Sequence, residues 1–351
     1  MLISEEQKRR YTAFWDRTPT DRACIYVTAW DGAPGFRAPV SVEEQWGGLA
    51  YREEQVVYNT RHTRYFAEGF PTVFTNFGPG SFGACVGGGF RFAPSTVWFE
   101  MIPHFAEDWN TRPHLKFDRN SAMYRMSEEY SERLLSHKDL FFTSIVDIGG
   151  TFDIIAALRG TENLLYDFYD NPDEIKALYR ELFPLIREYY QEQTTRLFRE
   201  QGAMTSWMPI WSDKPYYPLQ CDMCTMISPK MFGEYVLPDL RAQTEYMERA
   251  IYHLDGPDEL PHLDQLLSLP RLNAIQWTPG DGNPPISAPC WYPVYRKIQE
   301  AGKGLILLGV SPDQLEAIFT NVSQRGLYLT TWARDEKDAA DMVRLAERLN
   351  H

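Results

Sequence analysis

Short apolar runs recur along the chain and are separated by longer segments that mix apolar and polar residues. Few of these runs alternate strictly between apolar and polar positions, which is typical of strands buried on both faces of a parallel sheet. The pattern predicts strands at residues 24–27, 72–74, 96–99, 141–146, 203–210, 250–254, 274–277, 305–308 and 327–330.

The segments between these runs carry the signals that begin and end helices. Asn171 can cap a helix whose first position is Pro172, and Gly202 follows the predicted end of that helix at about residue 200. Pro184 inside this segment predicts a kink. The same start signal occurs at Ser228-Pro229, Pro257-Asp258 and Ser311-Pro312, and residues 335–350 form a last amphipathic segment.

Alternating strands and helices predict an α/β fold, and this number of strands favours a single (β/α)8 barrel, or TIM barrel. Residues 1–20 are predicted to form an N-terminal helical extension, and residues 21–351 the barrel. A doubly wound open sheet is the alternative. Residues 77–89 contain six glycines but lack the Gly-Lys-Ser/Thr of a phosphate-binding loop, so they predict a tightly turned loop or a lid over a pocket.

Charge and composition narrow the class of protein. The chain has 351 residues, with 48 Asp and Glu against 35 Lys and Arg, a net charge of −13. Without clustered basic residues, a nucleic-acid partner is not expected. No apolar run approaches the ~20 residues that span a bilayer, and no secretion signal opens the chain, so we expect a cytoplasmic protein without membrane contact. Five cysteines in a chain of this length do not indicate a disulfide framework.

The sharpest chemical feature lies at the end of the predicted strand 250–254. His253 and Asp255 are two positions apart, so their side chains point to the same side of the strand. In a barrel, active-site groups collect at the carboxyl ends of the strands. An imidazole and a carboxylate at this spacing can bind a metal or exchange protons with a substrate, so we predict that both residues are catalytic. The alternative is a hydrogen-bonded pair that closes the turn.

Other polar and aromatic residues are candidates for substrate binding. Cys221 and Asp222 belong to a Cys-x2-Cys pair that lacks the second pair of a structural zinc site. Fourteen per cent of the chain is aromatic, which favours a pocket with aromatic walls for a flat or cationic ligand. The candidates for this pocket are Asp147, Trp207, Trp211, Tyr216, Cys221, Asp222, Gln276 and Trp277.

The chain resembles the uroporphyrinogen decarboxylase superfamily. The similarity is carried by Cys221-Asp222, by residues 227–232 with Pro238, by Tyr252-His253-Leu254-Asp255-Gly256 and by the strand that ends at Trp277. It covers about residues 139–351 and implies a (β/α)8 barrel. The decarboxylase branch has an Arg-Gln-Ala-Gly-Arg motif near its N-terminus and a late Asn-Leu-Gly-His-Gly motif, and this chain has neither. The resemblance is therefore closer to the corrinoid-linked methyltransferases, such as those that methylate coenzyme M.

The resemblance implies an enzyme that moves a methyl group between a small O-, N- or S-methyl substrate and a separate corrinoid protein. The methyltransferase branch holds zinc with a His-x-Cys pair, and Asp255 occupies that Cys position here. Zinc or another divalent metal would then be held by His253, Asp255 and Cys221. Two alternatives remain open: a decarboxylase or lyase acting on a small acid, and a non-catalytic small-molecule-binding barrel. A homodimer is a further expectation.

Overall fold

The computed structural model describes residues 2–103, 105 and 108–350. His104 follows Pro103 in a loop that the sequence suggests could reach a site, and it lies outside these residues. The strands are β1 (Cys24–Trp30), β2 (Thr63–Ala67), β3 (Thr72–Val73), β4 (Gly89–Phe92), β5 (Val97–Glu100), β6 (Phe142–Thr143), β7 (Tyr216–Leu219), β8 (Arg249–Asp255), β9 (Ala274–Thr278), β10 (Gly304–Leu307) and β11 (Leu327–Trp332).

The described α-helices are α1 (Glu5–Asp16), α2 (Val42–Gly47), α3 (Leu49–His62), α4 (Ala122–Leu135), α5 (Thr151–Arg159), α6 (Thr161–Asp170), α7 (Pro172–Gln201), α8 (Pro229–Met231), α9 (Leu237–Tyr246), α10 (Leu263–Leu267), α11 (Tyr292–Glu300), α12 (Leu315–Asn321) and α13 (Glu336–Arg348). Among the described residues, no helix has the length and apolar character needed to cross a lipid bilayer.

A mainly parallel sheet organises the fold and brings the ends of its strands together. Seven strands follow the order β2-β1-β11-β10-β9-β8-β7, and only β2 runs antiparallel to its neighbour. A second parallel pair joins β3 to β6, and β4 and β5 form a separate antiparallel hairpin. The α/β prediction is confirmed by this sheet. The described strand pairings do not close it into a barrel, so the (β/α)8 architecture stays a prediction.

The predicted helix signals are found at α7, which runs for 30 residues. Pro172 occupies its first turn, where the missing N–H of proline costs nothing. Gly202 ends the helix in the left-handed conformation, with a φ of 67°, and its N–H donates to the Phe198 carbonyl. Strand β8 is buried at nearly every position, as a strand covered on both faces should be.

Helix α1 closes the edge of the sheet where the parallel strands begin. Ser4 and Gln7 form a capping box that starts the helix, and Tyr11, Phe14 and Trp15 on it are buried. The Tyr11 hydroxyl donates to the Glu68 carbonyl at 2.8 Å, and Trp15 Nε1 donates to the Trp211 carbonyl at 3.0 Å. These buried aromatic side chains fill the edge where the strands begin. A site is therefore expected at the opposite edge, where the strands end.

Two predicted elements differ from the structure in the region before β7. Residues 203–210 do not form a strand; one isolated bridge joins Met204 to Ser212. The strand comes instead at Tyr216–Leu219, outside the predicted strand segments. The apolar side chains of 203–210 are buried by packing of an irregular segment, and apolar character alone does not distinguish this from a strand.

The glycine-rich segment is packed under the sheet edge. Ser81 donates from its N–H and its hydroxyl to the Asp147 carbonyl, at 3.2 and 2.6 Å. Gly80 and Gly149 meet so closely that a Cβ on Gly149 would lie 2.4 Å from the Gly80 Cα. Gly149 also has a φ of 96°, which favours glycine. The segment therefore supports the loop that carries Asp147.

Candidate functional site

His253 and Asp255 lie at the end of β8, and both side chains are partly exposed to solvent. The His253 Nε2 atom lies 3.8 Å from Asp255 Oδ2, and the two side chains are 15% and 42% exposed. Both point the same way because they are two residues apart on one strand. The pair can therefore share or pass a proton, and it remains accessible to a ligand.

The orientation of the His253 ring is set from the neighbouring strand β9. Gln276 lies opposite His253 in the strand register, and its Oε1 contacts His253 Nδ1. The Gln276 amide donates to Thr278 Oγ1 at 2.8 Å, so its oxygen faces the imidazole. An oxygen acceptor places the proton of a neutral imidazole on Nδ1. Nε2 then carries the lone pair, so it can accept a proton and, once protonated, donate it. The Trp207 ring packs edge-on against His253, with centroids 5.1 Å apart.

Asp222 stands at the centre of the site, just after β7. Its side chain is reached by solvent but lies in a concavity formed by protein atoms. This partial burial raises the pKa of Asp222, His253 lowers it, and Asp255 raises it further. These electrostatic contacts place Asp222 within interaction range of both residues from β8.

Asp147 approaches Asp222 from the segment after β6. Its Oδ1 accepts a hydrogen bond from the Tyr217 hydroxyl at 2.9 Å. That hydroxyl in turn accepts the N–H groups of Ile148 and Gly149, at 2.7 and 3.1 Å. Burial raises the pKa of Asp147 to about 6, against the opposing effect of the Tyr217 hydrogen bond. Asp147 thus changes its charge close to neutral pH.

The raised pKa of Asp147 makes the stability of the protein depend on pH. Above the ordinary Asp pKa the unfolded chain is ionised while folded Asp147 still holds its proton, so stability falls as pH rises from about 4 to about 6. Asp147→Asn removes this effect. We expect the variant to gain about 2–3 kcal/mol relative to wild type between pH 4 and pH 7.5. Urea unfolding at both pH values measures this gain.

The matched control for this prediction is Asp281→Asn, which changes an exposed carboxylate. A relative stability of Asp147→Asn that stays constant across the pH range would contradict the buried-carboxyl assignment. Asp281→Asn should reproduce the wild-type pH profile.

Two further residues complete the site and were missed from the sequence. Asp153, in the first turn of α5, accepts the Met223 N–H at 2.9 Å, and its buried Oδ2 has no hydrogen-bond partner among the described residues. Burial first, and then Asp222, raise the pKa of Asp153. Gln220 is 6% exposed and lines the cleft. An acid in the first turn of a helix that follows a strand end was the available signal for Asp153.

A cavity of about 550 Å³ opens beside Asp222. One wall comes from the β4–β5 hairpin, which contributes Trp98 and Phe99. Met226, Asp153 and Gln220 also line the cavity. Trp98 and Met226 are 56% and 49% exposed. Aromatic and apolar side chains therefore line this cavity, and none of them is one of the aromatic residues predicted for the pocket from the sequence.

The Cys-x2-Cys pair belongs to a buried cluster beneath Asp222. Cys221 and Cys224 are 1% and 0% exposed. The Cys224 sulfur lies 3.8 Å from the Tyr252 hydroxyl, which donates to Glu259 at 3.1 Å. The Cys221 thiol lowers the pKa of Cys224 through a hydrogen bond, and burial raises that of Cys221. His262, expected at the surface, is 1% exposed and stacks on Phe232 at 4.4 Å.

The three residues predicted to hold a metal do not lie together. His253 and Asp255 are adjacent, but Cys221 is buried with Cys224 beneath the cleft floor. Within the described ranges, no three or more His, Cys, Asp or Glu side chains come together to hold a metal ion. The set His253, Asp255 and Cys221 therefore does not fit a metal in this arrangement, and no step below is derived through one.

Three predicted pocket residues lie elsewhere in the fold. Trp211 packs under α1, where it lines a cavity with Lys8 and Ala13 at the other edge of the sheet. Tyr216 begins β7 and packs against Trp15, 5.1 Å between centroids. Trp277 is fully buried and contacts Trp291, because alternation along β9 sends it to the side opposite Gln276. The prediction that these three residues line the pocket is therefore replaced by positions in the buried core.

Known proteins resemble this chain in fold rather than in sequence. No protein-family model and no curated protein matches it. A methyltransferase from Methanosarcina mazei has a similar structure, with a TM-score of 0.57 and 10% sequence identity. The similarity covers 97% of this chain and 98% of the methyltransferase. At this identity the comparison establishes the overall fold alone.

Proposed function

We propose that the protein is an enzyme of the methyltransferase type, which removes a methyl group from a small substrate at the cleft beside His253. The observation that carries the proposal is the oriented imidazole, whose Nε2 lies 3.8 Å from Asp255 Oδ2 while Gln276 contacts Nδ1. The structural similarity to a methyltransferase over nearly the whole chain supports the same class.

The arrangement is suited to protonating a leaving heteroatom. When a nucleophile attacks the methyl carbon, the bond from carbon to the O, N or S atom breaks and its electron pair stays on the heteroatom. Protonated His253 can donate a proton from Nε2 to that atom, which gives the neutral alcohol, amine or thiol. Asp255, 3.8 Å away, stabilises the charged imidazole before the transfer. A separate corrinoid protein, as the resemblance implies, would supply the methyl acceptor.

The charges in the cleft argue against the decarboxylase alternative. Carboxylate substrates are held by Arg or Lys side chains. The residues that line the cavity include Asp153 and Asp222 but no Arg or Lys. An acidic substrate would be repelled here, so a decarboxylase of small acids is disfavoured. The non-catalytic binding alternative is separated from the enzyme by the assay below.

We also propose that the strands form the predicted (β/α)8 barrel. Five parallel pairings join six strands from β7 through β11 to β1, and the parallel pair β3–β6 would complete eight. Side chains bridge both gaps. The Tyr26 hydroxyl on β1 donates to the Phe70 carbonyl before β3, and the Ile148 N–H after β6 donates to Tyr217 on β7.

The experiment that tests the function measures methyl transfer directly. Purified protein is incubated with a reduced corrinoid protein and a panel of O-, N- and S-methyl compounds, and cobalt methylation is followed by absorbance. We expect transfer from at least one donor by wild type and a strong loss in His253→Ala. No cobalt methylation from any donor, at any metal loading, would contradict the proposal. Ligand binding without turnover would favour the binding-protein alternative.

A further inference from the structure

We propose that the cavity beside Asp222 binds a methylated ammonium ion. On the proposed methyltransferase function, this cation is a methyl donor whose nitrogen leaves as a neutral amine and needs no proton, so proton donation by His253 applies to neutral donors. The binding site itself does not depend on that function, because it is inferred from the charge, the walls and an unpartnered amide of the cavity.

The charge of the site selects a cation. Burial is the main cause that raises the pKa of Asp147, Asp153 and Asp222; Asp222 raises the pKa of Asp147 and Asp153 further, and Asp255 raises that of Asp222. No Lys or Arg is among the cavity-lining residues that the structure describes. His253 is the basic side chain that lowers the pKa of Asp222. A cation in the cavity would relieve this repulsion between carboxylates.

An unsatisfied amide gives an independent indication of a ligand. Gln220 is 6% exposed, lines the cavity, and its side chain makes no hydrogen bond with the described part of the chain. A buried polar side chain without a partner costs free energy unless a ligand or water satisfies it. The buried Oδ2 of Asp153, which also lines the cavity, is likewise without a partner among the described residues. Both side chains supply oxygen atoms, which suit a positively charged group.

The walls specify an organic cation rather than a bare metal ion. Trp98 and Phe99 on β5 line the cavity together with Met226, and Trp98 and Met226 are about half exposed although they are large and apolar. An aromatic face attracts a quaternary ammonium group through the ring quadrupole. The methyl groups of such an ion would also bury apolar surface of Trp98 and Met226 that is otherwise in contact with water. Within the described residues, the acidic groups are not arranged as a metal site.

Binding of a cation should be linked to proton release. The titratable groups that line the cavity are Asp153 on α5 and Asp222 after β7, and the groups that interact with Asp222 are Asp147, Asp153, His253, Asp255 and Glu259. A cation stabilises ionised carboxylates, so its affinity should rise as pH increases from 5 to 8. A neutral ligand of the same shape should show no such rise.

The test compares choline with 3,3-dimethylbutan-1-ol, a neutral molecule of nearly the same shape, by calorimetric titration of the full-length protein at constant ionic strength. We expect choline to bind at least about tenfold more tightly than the alcohol. Asp222→Asn should weaken choline binding by about five- to tenfold and Trp98→Leu by about three- to tenfold. Asp281→Asn, an exposed acid outside this cavity, is the matched control and should bind like wild type.

Several outcomes would overturn the inference. These are equal affinity for choline and the alcohol, no binding of choline, or choline affinity unchanged in both Asp222→Asn and Trp98→Leu. Circular dichroism of each variant separates loss of binding from loss of fold. Choline binding without methyl transfer from any donor would contradict the proposed function and leave the cation site intact. Methyl transfer from neutral donors without choline binding would support the proposed function and contradict the cation site.

Discussion

Replacing His253 with alanine is expected to lower the rate of methyl transfer by about two to four orders of magnitude, the range typical of a lost general acid. The physical reason is that the leaving heteroatom would depart as an anion in the absence of the Nε2 proton. The loss should therefore shrink for donors with better leaving groups, such as phenyl ethers compared with alkyl ethers. Single-turnover rates for a series of such donors measure the effect.

The control for His253 is His114→Ala, which removes an imidazole with an 87% exposed side chain on another face. It should transfer methyl groups like wild type. A His253→Ala variant with the same rate loss for every leaving group would indicate that His253 only shapes the cleft. Gln276→Leu removes the oxygen that orients the His253 ring but keeps the imidazole. The loss of methyl-transfer rate should therefore be smaller than in His253→Ala and should depend on pH.

The largest loss of stability is expected from Glu68→Gln. Glu68 is 2% exposed and pairs with Arg22, whose Nη2 lies 2.8 Å from its Oε1, and with Arg10, whose Nε lies 3.2 Å away. It also accepts the Ile25 N–H of β1 at 2.9 Å. Removing its charge leaves the buried Arg22 guanidinium beside a neutral amide, while Arg10 keeps its pair with Asp21. We expect the free energy of unfolding to fall by about 3–5 kcal/mol, measured by urea denaturation.

The matched comparison is Glu129→Gln, which breaks a pair with Arg133 at the surface, where the side chains are 56% and 38% exposed. Solvent screens this pair, so the expected loss is below about 1 kcal/mol. Equal losses in the two variants would mean that the Glu68 network does not hold α1 and the first strand together.

Local signals in the sequence anticipated much of the framework. The Asn171-Pro172 start and the Gly202 end of α7 are properties of the backbone at those residues, so they need no tertiary contact. Apolar runs located β1, β8, β9, β10 and β11 closely. The strand prediction for residues 203–210 is wrong because an irregular buried segment and a buried strand have the same composition.

Some features of the candidate site likewise follow from local sequence, and others depend on how the strands pair. His253 and Asp255 share a face because strand geometry alone places residues i and i+2 together. That Gln276 orients His253 depends on the register between two strands, which pairing decides. Trp211, Tyr216 and Trp277 were predicted to line the pocket, but aromatic character does not show which edge or face of the sheet a ring occupies.

The α/β class, the main helix ends and the His-x-Asp pair at a strand end follow from the sequence, because each depends on residues close together in the chain. The three-dimensional packing brings Asp222 near that pair, brings Asp147 and Asp153 near Asp222, and places residues of the β4–β5 hairpin in the cavity wall. These contacts join segments far apart in sequence. They arise because packing the whole chain around one sheet brings the strand ends together, and no local pattern encodes that.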